Sequence, residues 1–265
     1  MHAIERLLKG FERFQQHYFE EAPALYDALR AGQHPQTLLI GCSDSRVDPG
    51  LLLGSDPGDL FTVRNVANLV PPCHETESGR LHGVSAAIQF AVEQLRVARI
   101  IVMGHSGCGG IRALLARPAA DGDTPAPRQD FIGPWVRIAA PARHLVDQTM
   151  PDASADQRQH ACEQASILVS LRNLESFPFV RDARERGALT LHGWYFDIAA
   201  GALLAYSDRA DSFLPLVCPL PAAHPGGIRN RLRPTRRHDD ACTDGEADGK
   251  AARSYVDPTL SGMDT

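Results

Sequence analysis

No stretch of this chain stays apolar over the roughly 20 residues that a bilayer-spanning helix requires. The opening residues, Met1-His2-Ala3-Ile4-Glu5-Arg6, lack the charged-then-apolar form of a secretion signal. A cytoplasmic protein with no membrane partner is expected. A basic stripe is missing too: the formal charge is -5, which gives no electrostatic footing for nucleic acid and leaves a small molecule as the expected partner. Cysteine is sparse and irregular, at Cys42, Cys73, Cys108, Cys162, Cys218 and Cys242, so a disulfide framework is excluded. In a reducing compartment these residues are buried thiols or metal ligands. Internal repeats are also absent.

What is present suits one α/β domain with extensions: 265 residues, 43% of them hydrophobic. Ile4, Leu7, Leu8, Phe11 and Phe14 recur at three- and four-residue steps and predict a helix with one apolar stripe. A second helical piece runs from Pro23 to Ala31. Thr37-Leu38-Leu39-Ile40 and Leu60-Phe61-Thr62-Val63 read as strands, with Asp48-Pro49-Gly50 and Asp56-Pro57-Gly58 as turns between them. Val84 to Leu95 has helical spacing, and Arg99-Ile100-Ile101-Val102-Met103 is a buried strand of the parallel kind. A helix from Ile111 to Ala116, one from Phe131 to Val146 interrupted at Pro141, and one from Ser154 to Ser176 follow. Leu189 to Phe196 is a strand, and Gly201 to Tyr206 is expected to be the last, at the sheet edge. Alternating helices and strands predict a mainly parallel sheet flanked by helices. Residues 1–35 are expected to form a helical arm, 36–217 the α/β domain, and 218–265, rich in Pro, Arg and Asp, a disordered tail.

Two of the strands end in chemistry. The first runs into Gly41-Cys42-Ser43-Asp44-Ser45-Arg46, the third into Gly104-His105-Ser106-Gly107-Cys108-Gly109-Gly110. Ends of neighbouring parallel strands converge on the crevice where open α/β sheets bind ligands. Alone, a buried cysteine is usually inert. Two thiolates and an imidazole together define a soft tetrahedral site, for which Zn2+ is the best fit, with one position left over. Asp44 either fills that position or is held away from it by a bidentate pair with Arg46.

The segments Cys42-Ser43-Asp44-Ser45-Arg46, Arg64-Asn65-Val66-Ala67-Asn68 and His105-Ser106-Gly107-Cys108-Gly109-Gly110 resemble, in order and separation, those of the β-class carbonic anhydrases. The similarity runs from about Gln33 to Tyr206. It implies a parallel sheet with an added edge strand and a helical arm that wraps a second subunit, hence a homodimer or a higher even-numbered assembly. Cys42, His105 and Cys108 would be ligands to one Zn2+ per chain, joined by Asp44 only in a closed state, and Asp44 and Arg46 would be the catalytic dyad. Gln33, Phe61 and Val66 match substrate-pocket positions, and Phe90 stands where many members have tyrosine. Leu39, Arg64 and Phe196 occupy positions that in some members hold an inhibitory bicarbonate through tryptophan, arginine and tyrosine; with two of the three partners missing, that regulation is not expected. The implied reaction is hydration of CO2 to bicarbonate and a proton by a zinc-bound hydroxide. Hydrolysis of COS or CS2 on the same site, or a non-catalytic zinc sensor, are the alternatives. Because two thiolates neutralise the metal's charge, kcat/KM is expected to climb well past neutral pH; a stopped-flow profile already flat by about pH 6.5 would contradict this.

Overall fold

The central strands of the sheet are buried on both faces, so helices must cover both. In the computed structural model, which describes residues 3–73, 82–117 and 130–217, six strands order themselves β2-β1-β3-β4-β5-β6. They are β1 (Thr37–Cys42), β2 (Leu60–Asn65), β3 (Arg99–His105), β4 (Thr190–Asp197), β5 (Ala202–Ser207) and β6 (Ser212–Pro215). The first four run parallel, while β5 and β6 add on as antiparallel hairpins. Here the sequence reading is corrected: β5 is not the edge, because β6 pairs outside it through Leu204↔Pro215 to Ser207↔Ser212. Four residues are too short a run to stand out as a strand by alternation alone.

The helices are α1 (Ala3–Gln15), α2 (Ala24–Leu29), α3 (Pro49–Leu53), α4 (Gly83–Gln89), α5 (Gly109–Leu115), α6 (Ile132–Val136), α7 (Ala140–Thr149), α8 (Ala155–Glu175) and α9 (Pro178–Glu185). Asp48-Pro49-Gly50, expected to be a turn, opens α3 instead. The Asp48 side chain accepts from Leu51 N–H and Pro49 takes the first helical position, where its missing N–H costs nothing. The Val84–Leu95 helix is α4 followed by a π turn over Phe90–Gln94. Helix α9 was not foreseen. Helix α8 begins in a capping box, Ser154 with Gln157, which satisfies two otherwise orphaned donors.

Alternation along β1 and β3 sorts the core. Leu38, Ile40, Ile100 and Val102 pack with Ile88, Ala91, Ile167 and Leu174 from α4, its π turn and α8. Leu39, Ile101 and Met103 face the other way, toward Leu52, Trp194 and Leu203. A third cluster gathers Cys42, Cys108 and Ile111 with Val136, Ala142 and Val146. Gly104 lets α8 lie close on the sheet, since a Cβ there would come within 2.8 Å of Ile167 Cδ1. The α1 stripe of Ile4, Leu7, Leu8 and Phe11 stays exposed in the single chain. Among the described residues no helix is long and apolar enough to cross a membrane. The tail from residue 218, the linker 118–128 and His74 lie outside the described residues.

Candidate active site

Strands β1 and β3 are in register as parallel neighbours, Ile40↔Val102, so their carboxyl ends open side by side. The chain leaves β1 for β2 on one flank, and β3 returns on the other, which makes this the topological switch point of the sheet. Cys42 closes β1 and His105 closes β3. Gly107, at φ 70, turns the chain so that Cys108 comes back to meet them. One ligand atom from each of Cys42, His105 and Cys108 lies within 4.8 Å of the others, and all three residues are buried.

The donor set fits a metal on the structure's own terms. His105 Nδ1 lies 3.0 Å from the Ser106 carbonyl, which can only accept, so the proton sits on Nδ1 and Nε2 presents a lone pair. That Nε2 is buried with no hydrogen-bond partner among the described residues, an expensive state for an imidazole unless an ion uses it. The Cys42 thiol is pulled down to about 4, chiefly by the Cys108 thiol beside it, then against burial by the His105 ring and the Asp44 and Ala67 amides. Asp44 N–H points at Cys42 Sγ at 3.5 Å. The Cys108 thiol moves the opposite way, since a second negative charge next to Cys42 is costly. For His105, burial opposes the charged ring, but the Cys42 thiolate outweighs it and the net shift is upward. A divalent cation removes this conflict by taking both sulfurs as thiolates.

Asp44 stands outside this cluster. Arg46 holds its carboxylate from two sides, Nε to Oδ1 at 2.9 Å and Nη2 to Oδ2 at 2.7 Å, while Arg46 N–H also donates to Oδ1 at 3.0 Å. Asp44 Oδ2 remains 4.0 Å from His105 Nε2. Arg46 Nη2 donates on to the Gly107 carbonyl at 3.1 Å, so one guanidinium ties both ligand loops together. Arg64 performs a similar task from β2: Nε donates to Cys42 O, Nη2 to Asp44 O and Nη1 to Asp48 Oδ2, at 3.0, 2.8 and 2.9 Å.

After β2 the chain makes a strained turn, with Ala67 at φ 65 and Asn68 at φ 49. Each is a left-handed conformation that costs an L-residue of order 1 kcal/mol or more. The turn is pinned by Trp135 Nε1, which donates to Val66 O at 2.7 Å. It packs against Gly110, where a Cβ would come within 2.8 Å of both Ala67 Cβ and Val66 Cγ1. Gly110→Ala is therefore expected to cost about 1–3 kcal/mol by overpacking, read as a lowered denaturant midpoint; an unchanged midpoint would show that the turn yields freely.

The pocket residues divide. Val66 packs against the cluster that contains Cys42 and Cys108. Phe61 pairs with Leu38, near the far end of β2, and its ring lies 5.7 Å from that of Phe90 in a tilted arrangement, Phe90 being 45% exposed. Gln33 is exposed on the segment before β1. Within one chain these last three are not brought into the metal cluster. Sequence reasoning also missed Glu163, which accepts from Cys108 N–H. The signal was available: Glu163, Ser166, Ile167, Ser170 and Leu174 fall at helical spacing on one buried side of α8.

The fold and this centre define a class: an α/β protein with a Cys-His-Cys cluster able to hold a metal at the sheet's switch point. A family model described as carbonic anhydrase matches residues 37–203. Beta carbonic anhydrase 3 of Arabidopsis thaliana is 38% identical over 75% of this chain and 75% of its own length. The solved β-carbonic anhydrase CcaA superposes with TM-score 0.72 at 33% identity, covering 81% of this chain and 92% of that one. A tetrameric β-carbonic anhydrase from Sordaria macrospora gives 0.64 at 27% identity, covering 82% and 98%. The chain belongs to the β-carbonic anhydrase family, and it is an enzyme of that kind.

Proposed function

We propose that the chain catalyses the reversible hydration of CO2 to bicarbonate and a proton, with Cys42, His105 and Cys108 holding one Zn2+. The observation that carries this is the meeting of two thiols and an unpartnered imidazole Nε2 in a buried cluster at the end of β1 and β3. A bound zinc ion supplies the Lewis acidity that makes water nucleophilic near neutral pH. The protein does the rest. Asp44, kept ionised and aimed by Arg46, accepts a hydrogen bond from the attacking oxygen's proton and sets its direction. The bidentate pair would also withhold Asp44 from a bound metal and leave the remaining position to water. Val66 gives the nonpolar gas an apolar wall.

Gln33, Phe61 and Phe90 complete the pocket in this reading from a second copy, which the exposure of Gln33 and Phe90 supports. The uncovered α1 stripe supplies an arm for the same dimer, and the tetramers of the Sordaria macrospora enzyme favour an even-numbered assembly. Stopped-flow CO2 hydration combined with metal analysis tests the whole. The expected result is one zinc per chain and turnover abolished by chelation. One zinc per chain with no CO2 turnover would reduce the protein to a metal-binding module.

A further inference from the structure

Among the described residues, Glu163 is the buried carboxylate that the mechanism leaves unused. It sits mid-way along α8 at 2% exposure. A carboxylate there costs several kcal/mol unless donors surround it. Three do. Cys108 N–H and Gln159 Nε2 both donate to Oε1 at 2.8 Å, and the Tyr195 hydroxyl donates to Oε2 at 2.8 Å. The first two groups have only protons to give, so Oε1 is fixed as an acceptor. Tyr195 is itself fully buried, and its oxygen is met from outside by His160 Nδ1 at 3.1 Å.

The partners of the ligand loop explain what this carboxylate is for. Ser106 is held through its N–H on Phe196 O at 3.0 Å and its Oγ beneath Ile198 N–H at 2.8 Å. The Gly107 carbonyl is held by Arg46. Cys108 opens α5 without a side-chain cap, and among the described residues its own amide is held by Glu163 alone. The amide of the ligand that must return across Gly107 to reach the metal is thus anchored on an acid from a distant helix.

We propose that Glu163 is a positioning residue for the metal centre: it sets where the Cys108 thiolate lies by holding that residue's amide, with Gln159 and Tyr195 bracketing the carboxylate. This rests on Cys42, His105 and Cys108 being the ligands. The rival role is purely architectural, a polar bolt joining α8 to the sheet, which would affect folding but not metal geometry.

Glu163→Ala removes the acceptor, while Glu163→Gln keeps an oxygen for Cys108 and Gln159 and turns its amide toward the Tyr195 oxygen. Zinc dissociation constants by chelator competition and the thiolate-to-metal and ligand-field bands of the Co2+ form are the readouts, with thermal midpoints of the chelated proteins recorded beside them. Glu163→Ala is expected to weaken zinc binding by about 10–100-fold and to move the Co2+ bands. Glu163→Gln is expected to stay close to wild type in both. Wild-type zinc affinity in Glu163→Ala, or a loss in Glu163→Gln equal to that in Glu163→Ala, overturns the proposal. If Glu163→Ala does not fold, Tyr195→Phe, which unbrackets the carboxylate and leaves the acid in place, decides it: weakened zinc binding supports positioning and unchanged binding overturns it. Failure of the wild type to take up one zinc would instead sink the ligand assignment, a separate result.

Discussion

Asp44→Asn is expected to keep its zinc and lose about 10²-fold or more in kcat/KM, of order 3 kcal/mol of transition-state stabilisation. The metal should stay because Asp44 lies outside the three-residue cluster. The rate should fall because asparagine retains an oxygen for Arg46 N–H and Nε but turns an amide N–H toward Nη2, where two donors now face each other. Arg46 loses one arm of its fork, and position 44 loses the charge that orients the nucleophile. A variant that turns over CO2 at the wild-type rate would end the case for this dyad. The same substitution has a signature in stability. Arg46's hydrogen bonds hold the Asp44 carboxyl well below its ordinary 3.8. A depressed folded-state value means that the ionised pair stabilises the fold above that ordinary value, and that this contribution drains away as pH falls below it. Urea titrations of the chelated proteins should therefore show a wild-type advantage over Asp44→Asn that is constant above about pH 5 and shrinks toward pH 3.

Stripping the metal is expected to be the second large effect. The ion would join loops at Cys42 and at His105–Cys108, which no disulfide links, so its binding energy becomes folding energy. With free zinc a thousandfold above its dissociation constant, the stabilisation is about 4.1 kcal/mol. For a domain of this size that corresponds to a fall of about 8–16 °C in Tm on chelation. Cys108→Ala should start near the chelated value and respond little to chelator. Zinc binding should also weaken as pH drops, since the Cys108 thiol, pushed up beside the Cys42 thiolate, must surrender its proton to bind. A Tm that ignores chelation would mean that the cluster holds no structural or catalytic ion.

Much of this was legible in the residues. Buried parallel strands announce themselves as continuous apolar runs, so β1 and β3 could be read, and with them the two loops at their ends. The helical spacing of Ile167, Leu171 and Leu174 likewise marked α8. What escaped had a physical reason in each case. Strand β6 is too short to alternate convincingly, and α9 begins Pro178-Phe179-Val180, which resembles the end of one element more than the start of another. Glu163 was passed over because an acid among Asp156, Arg158 and Gln164 looks like a solvated face until the sheet is seen to cover it. Arg64 stood out only by its place in a motif. Its three acceptors, two of them backbone carbonyls, depend on tertiary geometry that no spacing rule contains.

The added hairpin also bears on how the molecule behaves at high concentration. Leu216 N–H turns inward to Leu203 O, so the neighbouring Pro215 nitrogen, with no proton, faces outward at the rim where a stray chain would look for a donor. A rim strand of four residues that ends this way is a poor template for edge-to-edge growth. Pairing of a stray strand along this rim of the sheet is therefore disfavoured, which leaves β2 as the edge through which strands of separate copies could meet.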